Sequence, residues 1–267
     1  MRTEVSIDND LSNPEVPHVK MRPNWRNLHR LKGQSFVKFD PRVLGIRSAR
    51  TYDNYEFLTS YNNLPIDKYV EDNDPPKRFR RYMRYDVNTA KHDDYSIFSM
   101  GELVFSQNVS DYRGEPRVFE PIEPNNAENP WLKGFLTQVS ALSVLNECLK
   151  TDTCVVESTI KSLTIDVHQV RQVAYPGQES HNSPEGIHRD GADYIVSAFV
   201  MNRINIRGGE SIVYDKNKKE TYRTTLTEDL GIFQEDRDQW HHVTGIEPVQ
   251  DRIGFRDILG IDITVNE

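Results

Sequence analysis

Three hydrophobic patterns follow one another along the 267 residues. Residues 1 to 33 are polar, carry Pro14, Pro17 and Pro23, and hold no sustained period, which predicts an N-terminal arm ahead of one domain spanning 34–267. In "RFRRYMRYDV" (78–87) residue types alternate with period two. A strand there turns Arg78, Arg80, Tyr82 and Arg84 to one face and Phe79, Arg81, Met83 and Tyr85 to the other. In "NPWLKGFLTQVSALSVLNECLK" the residues Trp131, Phe135, Val139, Leu142, Leu145 and Leu149 recur at spacings of three and four, which predicts a helix over about 130–150. Seven short β-branched or aromatic runs follow, from "SLTIDVHQVRQVAY" to "GFRDILGIDITV", separated by Gly, Asn, Asp or Pro. Such spacing has no room for crossover helices, so a parallel βαβ sheet is excluded. The expected fold is mainly β with flanking helices: a double-stranded β-helix, the jelly-roll or cupin-like core.

Acidic residues exceed basic ones by 41 to 33, giving a net charge of −8. A chain of that sign has no long-range attraction to nucleic acid or to an anionic membrane, and neither is expected as a partner. No uncharged apolar run approaches the length of a membrane span and the first residues have no apolar leader, so the expectation is a soluble, cytoplasmic protein. Cys148 and Cys154 fit two reduced thiols better than a disulfide framework. Homo-oligomerisation is left open.

The chemistry concentrates in "PEGIHRDGADYIVSAFV" (184–200). Side chains two apart in an extended chain point the same way, so His188 and Asp190 offer an imidazole and a carboxylate to one point while Arg189 turns aside. His241 or His242 in "QWHHVTGI" can complete two histidines and one carboxylate, the facial set of non-haem Fe(II) oxygenases, although the same donors also suit zinc. A protein-kinase catalytic loop also begins "HRD", but it needs an Asn where Ile195 stands, so that reading is excluded. "RGGE" (207–210) lacks the spacing of a phosphate cradle, and Gly208 and Gly209 read as a hairpin turn. Arg256 shares a strand face with Ile258 and Gly260, which aims a permanent charge inward. Its partner is a carboxylate near Asp257, or Asp262, or a bound diacid.

Taken in order, "VHQVRQVA", "SPEGIHRDGADYIVS", "NRINIRGGES", "WHHVTGI" and "FRDIL" resemble the 2-oxoglutarate- and Fe(II)-dependent dioxygenases of the bacterial L-isoleucine 4-hydroxylase type. The resemblance extends upstream through "LPIDKYV", "RFRRYMRYDV" and "PRVFEPIEP", covering most of residues 60–265. It implies Fe(II) on His188, Asp190 and His241, with 2-oxoglutarate and O2 as co-substrates and Arg256 on the distal carboxylate of 2-oxoglutarate. His241 rather than His242 falls in the family's register; His242 and Gly245 stand where the family has Gly and Pro. Arg171 and Arg203 match family arginines and are candidates for the substrate, which the resemblance implies is a small molecule, a free L-amino acid hydroxylated at an aliphatic C–H while 2-oxoglutarate yields succinate and CO2. His168 reads as a hydrogen-bonded structural histidine. Two alternatives stay open: the same chemistry on a peptide or biosynthetic intermediate, and a non-catalytic metal-binding β-barrel module.

Overall fold

The structure, a computed structural model, describes residues 20–70, 74–90, 95–101, 104–106, 116–150, 160–182 and 185–266. Cys154 and the first nineteen residues lie outside that set. The described strands are β1 (Lys20–Met21), β2 (Phe36–Phe39), β3 (Arg78–Asn88), β4 (Tyr95–Ser99), β5 (Val104–Phe105), β6 (Arg117–Val118), β7 (Ser162–Ala174), β8 (Tyr194–Ile204), β9 (Ile206–Gly208), β10 (Glu210–Tyr214), β11 (Glu220–Thr225), β12 (Gly231–Glu235), β13 (Trp240–Val243), β14 (Ile246–Pro248) and β15 (Gly254–Asn266). All their strand pairings are antiparallel. They form a large sheet in the order β1-β4-β3-β7-β15-β8-β12-β2 and a small one in the order β11-β10-β13, the two sheets of a jelly roll. Each of the seven predicted runs carries a strand, and the period-two run at 78–87 lies within β3.

β15 pairs with β7 along its whole length, and β7 with β3, so their residues form rows: Arg256–Gln172–Arg78, Ile258–Val170–Arg80, Gly260–His168–Tyr82 and Asp262–Asp166–Arg84. Alternation then sorts the faces. Leu259, Ile261 and Ile263 join Leu163, Ile165, Val167, Met83 and Tyr85 in the main core, under the long helix Pro130–Lys150. The four rows listed first face the other way, into the barrel.

The long helix is buried over more of its girth than a single apolar stripe predicts, because Lys133, Thr137, Ser140 and Ser143 on its other sides are also covered. Gln138 accepts from the Asn24 N–H (2.7 Å) and donates to the Arg22 carbonyl (3.2 Å), and Asn146 accepts from the Gly33 N–H (2.9 Å). The polar segment 22–33 thus caps the helix from outside, and its Leu28 is fully buried in the core. Among the described residues no helix is long and apolar enough to cross a membrane.

Candidate active site

Backbone register brings the two distant histidines together. His188 and His241 form an antiparallel bridge that exchanges both N–H···O bonds (3.0 and 2.9 Å), so the loop before β8 acts as a further edge on β13. Residues opposite each other in such a pair have Cα atoms only about 5.5 Å apart. Their ring centroids lie 4.2 Å apart. His188 Nδ1 sits 2.8 Å from the Gly186 carbonyl, which fixes its proton there and leaves the Nε2 lone pair facing Asp190 Oδ1 at 3.6 Å. His241 Nε2 is 3.5 Å from Asp190 Oδ2. One donor atom from each of the three lies within 4.8 Å of the others.

Three ligands about 2.1 Å from a common ion and at right angles would be about 3 Å apart, so each histidine would close on Asp190 by little more than half an ångström from its present 3.6 or 3.5 Å. Its electrostatics also call for a cation. Burial first, and then the neighbouring His188 and His242, hold His241 well below the usual histidine range, so it stands neutral with a lone pair to give. Burial and Asp262 push Asp190 up to about 7; burial and Asp190 push Asp236 up to about 8; burial and Asp166 push Asp262 up to about 7. Three crowded acids with this little compensating charge are a setting that a divalent ion relieves.

Asp236 braces the site from behind. Its Oδ2 accepts the Gly191 N–H at 2.7 Å, fixing the turn that follows Asp190, and its Oδ1 lies 3.9 Å from His241 Nδ1.

Towards the other end of the barrel, Arg256 is fully buried. Its Nη1 donates to the Gly209 carbonyl (3.1 Å), while Nε and Nη2 are buried without a protein acceptor. Neither carboxylate offered by the sequence serves it. Asp257 points to the opposite sheet face, and Asp262 lies three rows along β15, about 20 Å away at the ordinary strand rise. Burial and the adjacent Arg203 lower Arg256 to about 10, which leaves it charged at neutral pH. Arg203 Nη2 donates to the Gly208 carbonyl (2.6 Å).

Gly208 and Gly209, both at positive φ (77° and 66°), make the turn that admits these guanidinia. A Cβ on Gly209 would meet Ile246 Cγ2 at 2.9 Å, Arg256 Nη1 at 3.0 Å and Arg203 Nη1 at 3.1 Å. Gly209→Ala is expected to lower the melting temperature by more than Gly177→Ala. Gly177 has a similar φ of 72° but no neighbour within 4 Å. Left-handed strain alone costs about 1–2 kcal/mol, so the difference between the two melts measures the crowding; equal melts would remove it.

A family model described as 2OG-Fe dioxygenase matches residues 58–262. The chain belongs to the 2OG-Fe dioxygenase family. Its members use Fe(II), 2-oxoglutarate and O2. Among solved structures, a bsmA homolog from Methylobium petroleophilum PM1 is 22% identical with a TM-score of 0.72 (90% of this chain, 92% of that one). IDO from Bacillus thuringiensis is 20% identical with a TM-score of 0.65 (91% and 95%), and the Fe(II)/(alpha)ketoglutarate-dependent dioxygenase TqaL is 16% identical with 0.64 (91% and 89%). At these identities the likeness is one of fold. No curated protein matches the sequence significantly.

In this 2OG-Fe dioxygenase, then, the structure gathers His188, Asp190 and His241 at one point, and strand alternation turns His242 away from them. Arg203 stands beside Arg256 rather than beside the triad. Arg171 requires a correction. It lies on the outer face of β7, where Asp257 holds it through two bonds (2.6 and 2.8 Å) and Phe255 stacks against it, so it does not line the cavity. His168 is hydrogen-bonded and stacks on Tyr82, but it also lines the cavity. The sequence offers Arg80 only as one of several strand arginines open to a substrate carboxylate, behind Arg171 and Arg203, and does not mark Asp262 or Glu185 as lining residues or Asp236 as a brace. The inward parity of β3 was a usable signal for Arg80; nothing in "FQEDRD" marks Asp236.

Proposed function

We propose that His188, Asp190 and His241 hold Fe(II), that Arg256 receives the distal carboxylate of 2-oxoglutarate, and that the enzyme hydroxylates an aliphatic C–H of a free L-amino acid. The observation that carries this reading is Arg256: a fully buried guanidinium, two of its nitrogens lacking a protein acceptor, on the inward face that also carries the cavity-lining Ile258 and Gly260. A bidentate carboxylate would supply both missing acceptors and the opposite charge. Bound iron would supply the site where O2, the oxidant, takes two electrons from 2-oxoglutarate, released as succinate and CO2, and two from the substrate C–H. The chain's own work is to bind, orient and exclude water: Val170, Val196, Val243 and Ile258 give the cavity an apolar wall between the triad and Arg256. The lining also carries both signs, Arg80 together with Asp262 and Glu185, which complements a zwitterion. The resemblance to the L-isoleucine 4-hydroxylase type supports the same substrate class.

The test is an anaerobic titration of the Fe(II)·2-oxoglutarate form with each of the twenty L-amino acids, followed by aerobic mass spectrometry. A gain of one oxygen, with matching succinate, is the expected outcome for at least one of them. Succinate released only with a peptide or a larger intermediate would refute the amino-acid assignment.

The acid cluster gives a metal-linked pH dependence. Asp190, Asp236 and Asp262 stand at about 7, 8 and 7, above the unfolded carboxyl value of about 3.9. Between about pH 4 and 8 the folded metal-free protein therefore keeps protons that the unfolded chain has released, and its stability falls as pH rises through that window. A divalent ion replaces those protons. Thermal melts in EDTA and in Mn(II) should show a metal-induced shift that is larger at pH 8 than at pH 6; a shift independent of pH would contradict this.

A further inference from the structure

The cavity's lining carries a cationic corner on β3, separate from the buried Arg256 of β15. Arg80 Nη2 lies 2.6 Å from His168 Nδ1, and His168 Nε2 lies 3.3 Å from Asp262 Oδ2. Burial and Arg80 hold His168 well below the usual histidine range, so the neutral ring accepts from the arginine at Nδ1 and donates to Asp262 at Nε2. The histidine orients the guanidinium without neutralising it. The guanidinium also lies over Phe119, 4.5 Å from its ring centroid, and 5.5 Å from that of Phe105. Neighbouring inward arginines are spoken for: Arg78 by Asp67 (2.8 Å) and Arg84 by both oxygens of Asp166 (2.8 and 3.1 Å). Among the described residues no carboxylate comes within ion-pair distance of Arg80, and its Nε is buried without an acceptor. A desolvated charge of this kind is costly until an anion reaches it.

We propose that Arg80 is the anion anchor of the primary-substrate end of the cavity and takes the substrate's carboxylate, while Arg256 is kept for the co-substrate. The two sites do not compete. Arg80 sits in the row Ile258–Val170–Arg80, one row along from Arg256 and two strands, about 10 Å, across the sheet. Two anions can therefore be held at once, each on its own fork. Phe119 and Phe105 with His168 hold the fork in place before the anion arrives, which lowers the ordering cost of binding.

This inference rests on the reading above that the cavity receives a small carboxylate-bearing substrate, and the probes separate the two. Calorimetry on the full chain loaded with Fe(II) and 2-oxoglutarate under anaerobic conditions would compare wild type, Arg80→Gln and Arg80→Lys. The probes are the twenty L-amino acids, isovalerate (carboxylate only) and isoamylamine (ammonium only). Arg80→Gln is expected to weaken isovalerate and any bound amino acid at least tenfold, with Arg80→Lys intermediate, and to leave 2-oxoglutarate within twofold. Isovalerate held by wild type and lost in Arg80→Gln, with no amino acid bound, would sustain the anchor and remove the amino-acid reading. An amino acid bound equally by wild type and Arg80→Gln would do the reverse. Isovalerate that fails to bind wild type, or 2-oxoglutarate binding lost in both variants, would overturn the anchor and mark Arg80 as a structural support.

Discussion

Arg256→Gln is expected to raise the Michaelis constant for 2-oxoglutarate about a hundredfold while changing kcat at saturating 2-oxoglutarate by less than tenfold. The magnitude follows from the two unpaired donors: Nε and Nη2 are desolvated and lack a protein acceptor, and hydrogen bonds to a charged group contribute about 1.5–3 kcal/mol each. Two such bonds amount to about 3 kcal/mol at the low end, or two decades of affinity. Arg256→Lys keeps a charge but loses the planar fork, and should fall between the two. Glutamine also relieves the crowding against Arg203 and the cost of a buried cation, so the variant should melt no lower than wild type. The measurement is the pair of steady-state constants together with the melt. A 2-oxoglutarate constant within threefold of wild type, in a folded variant, would remove Arg256 from the co-substrate site.

The parts of this protein legible in its sequence are those written in local periodicity. The 3–4 spacing from Trp131 to Leu149 marks the long helix, and alternation in "GFRDILGIDITV" separates Arg256 and Ile258 from Leu259 and Ile261 on opposite faces of β15. The His-x-Asp pair is equally local. Pairing across the sheet is not. Whether Arg171 reaches the cavity depends on the face its strand presents, and whether it stays solvated depends on Asp257 in β15 lying directly opposite. The orphaned state of Arg80 is likewise a statement about absence: "RFRRYMRYDV" shows four arginines, and only the fold shows that Asp67 and Asp166 satisfy two of them and that Arg80 is met by aromatic rings and a neutral imidazole. The segment 22–33 reads as an arm because it is polar and aperiodic; what ties it down are hydrogen bonds to Gln138 and Asn146, polar residues set within the apolar face of the helix, and a local pattern does not show such pairings.

Asp190→Ala should abolish Fe(II)-dependent turnover, by more than about a thousandfold, and weaken divalent-metal binding well beyond what loss of a supporting residue causes. Three side chains converge here, and Asp190 is the member that faces both others, at 3.6 Å from His188 Nε2 and 3.5 Å from His241 Nε2. Removing it leaves two neutral imidazoles, which hold a divalent ion without offsetting its charge. Asp236→Asn supplies the scale against which to judge the effect. It keeps the shape and can still accept the Gly191 N–H, but it removes the ionisable carboxyl that faces His241 Nδ1 at 3.9 Å, and outer partners of this kind are worth about 10–100-fold in metal affinity or activity. The two variants should therefore separate by at least a decade in metal affinity, read by calorimetry with Mn(II). Both also relieve a crowded acid, so each should melt no lower than wild type in EDTA at pH 8. An Asp190→Ala protein that binds Mn(II) and turns over as wild type does would detach the triad from the chemistry.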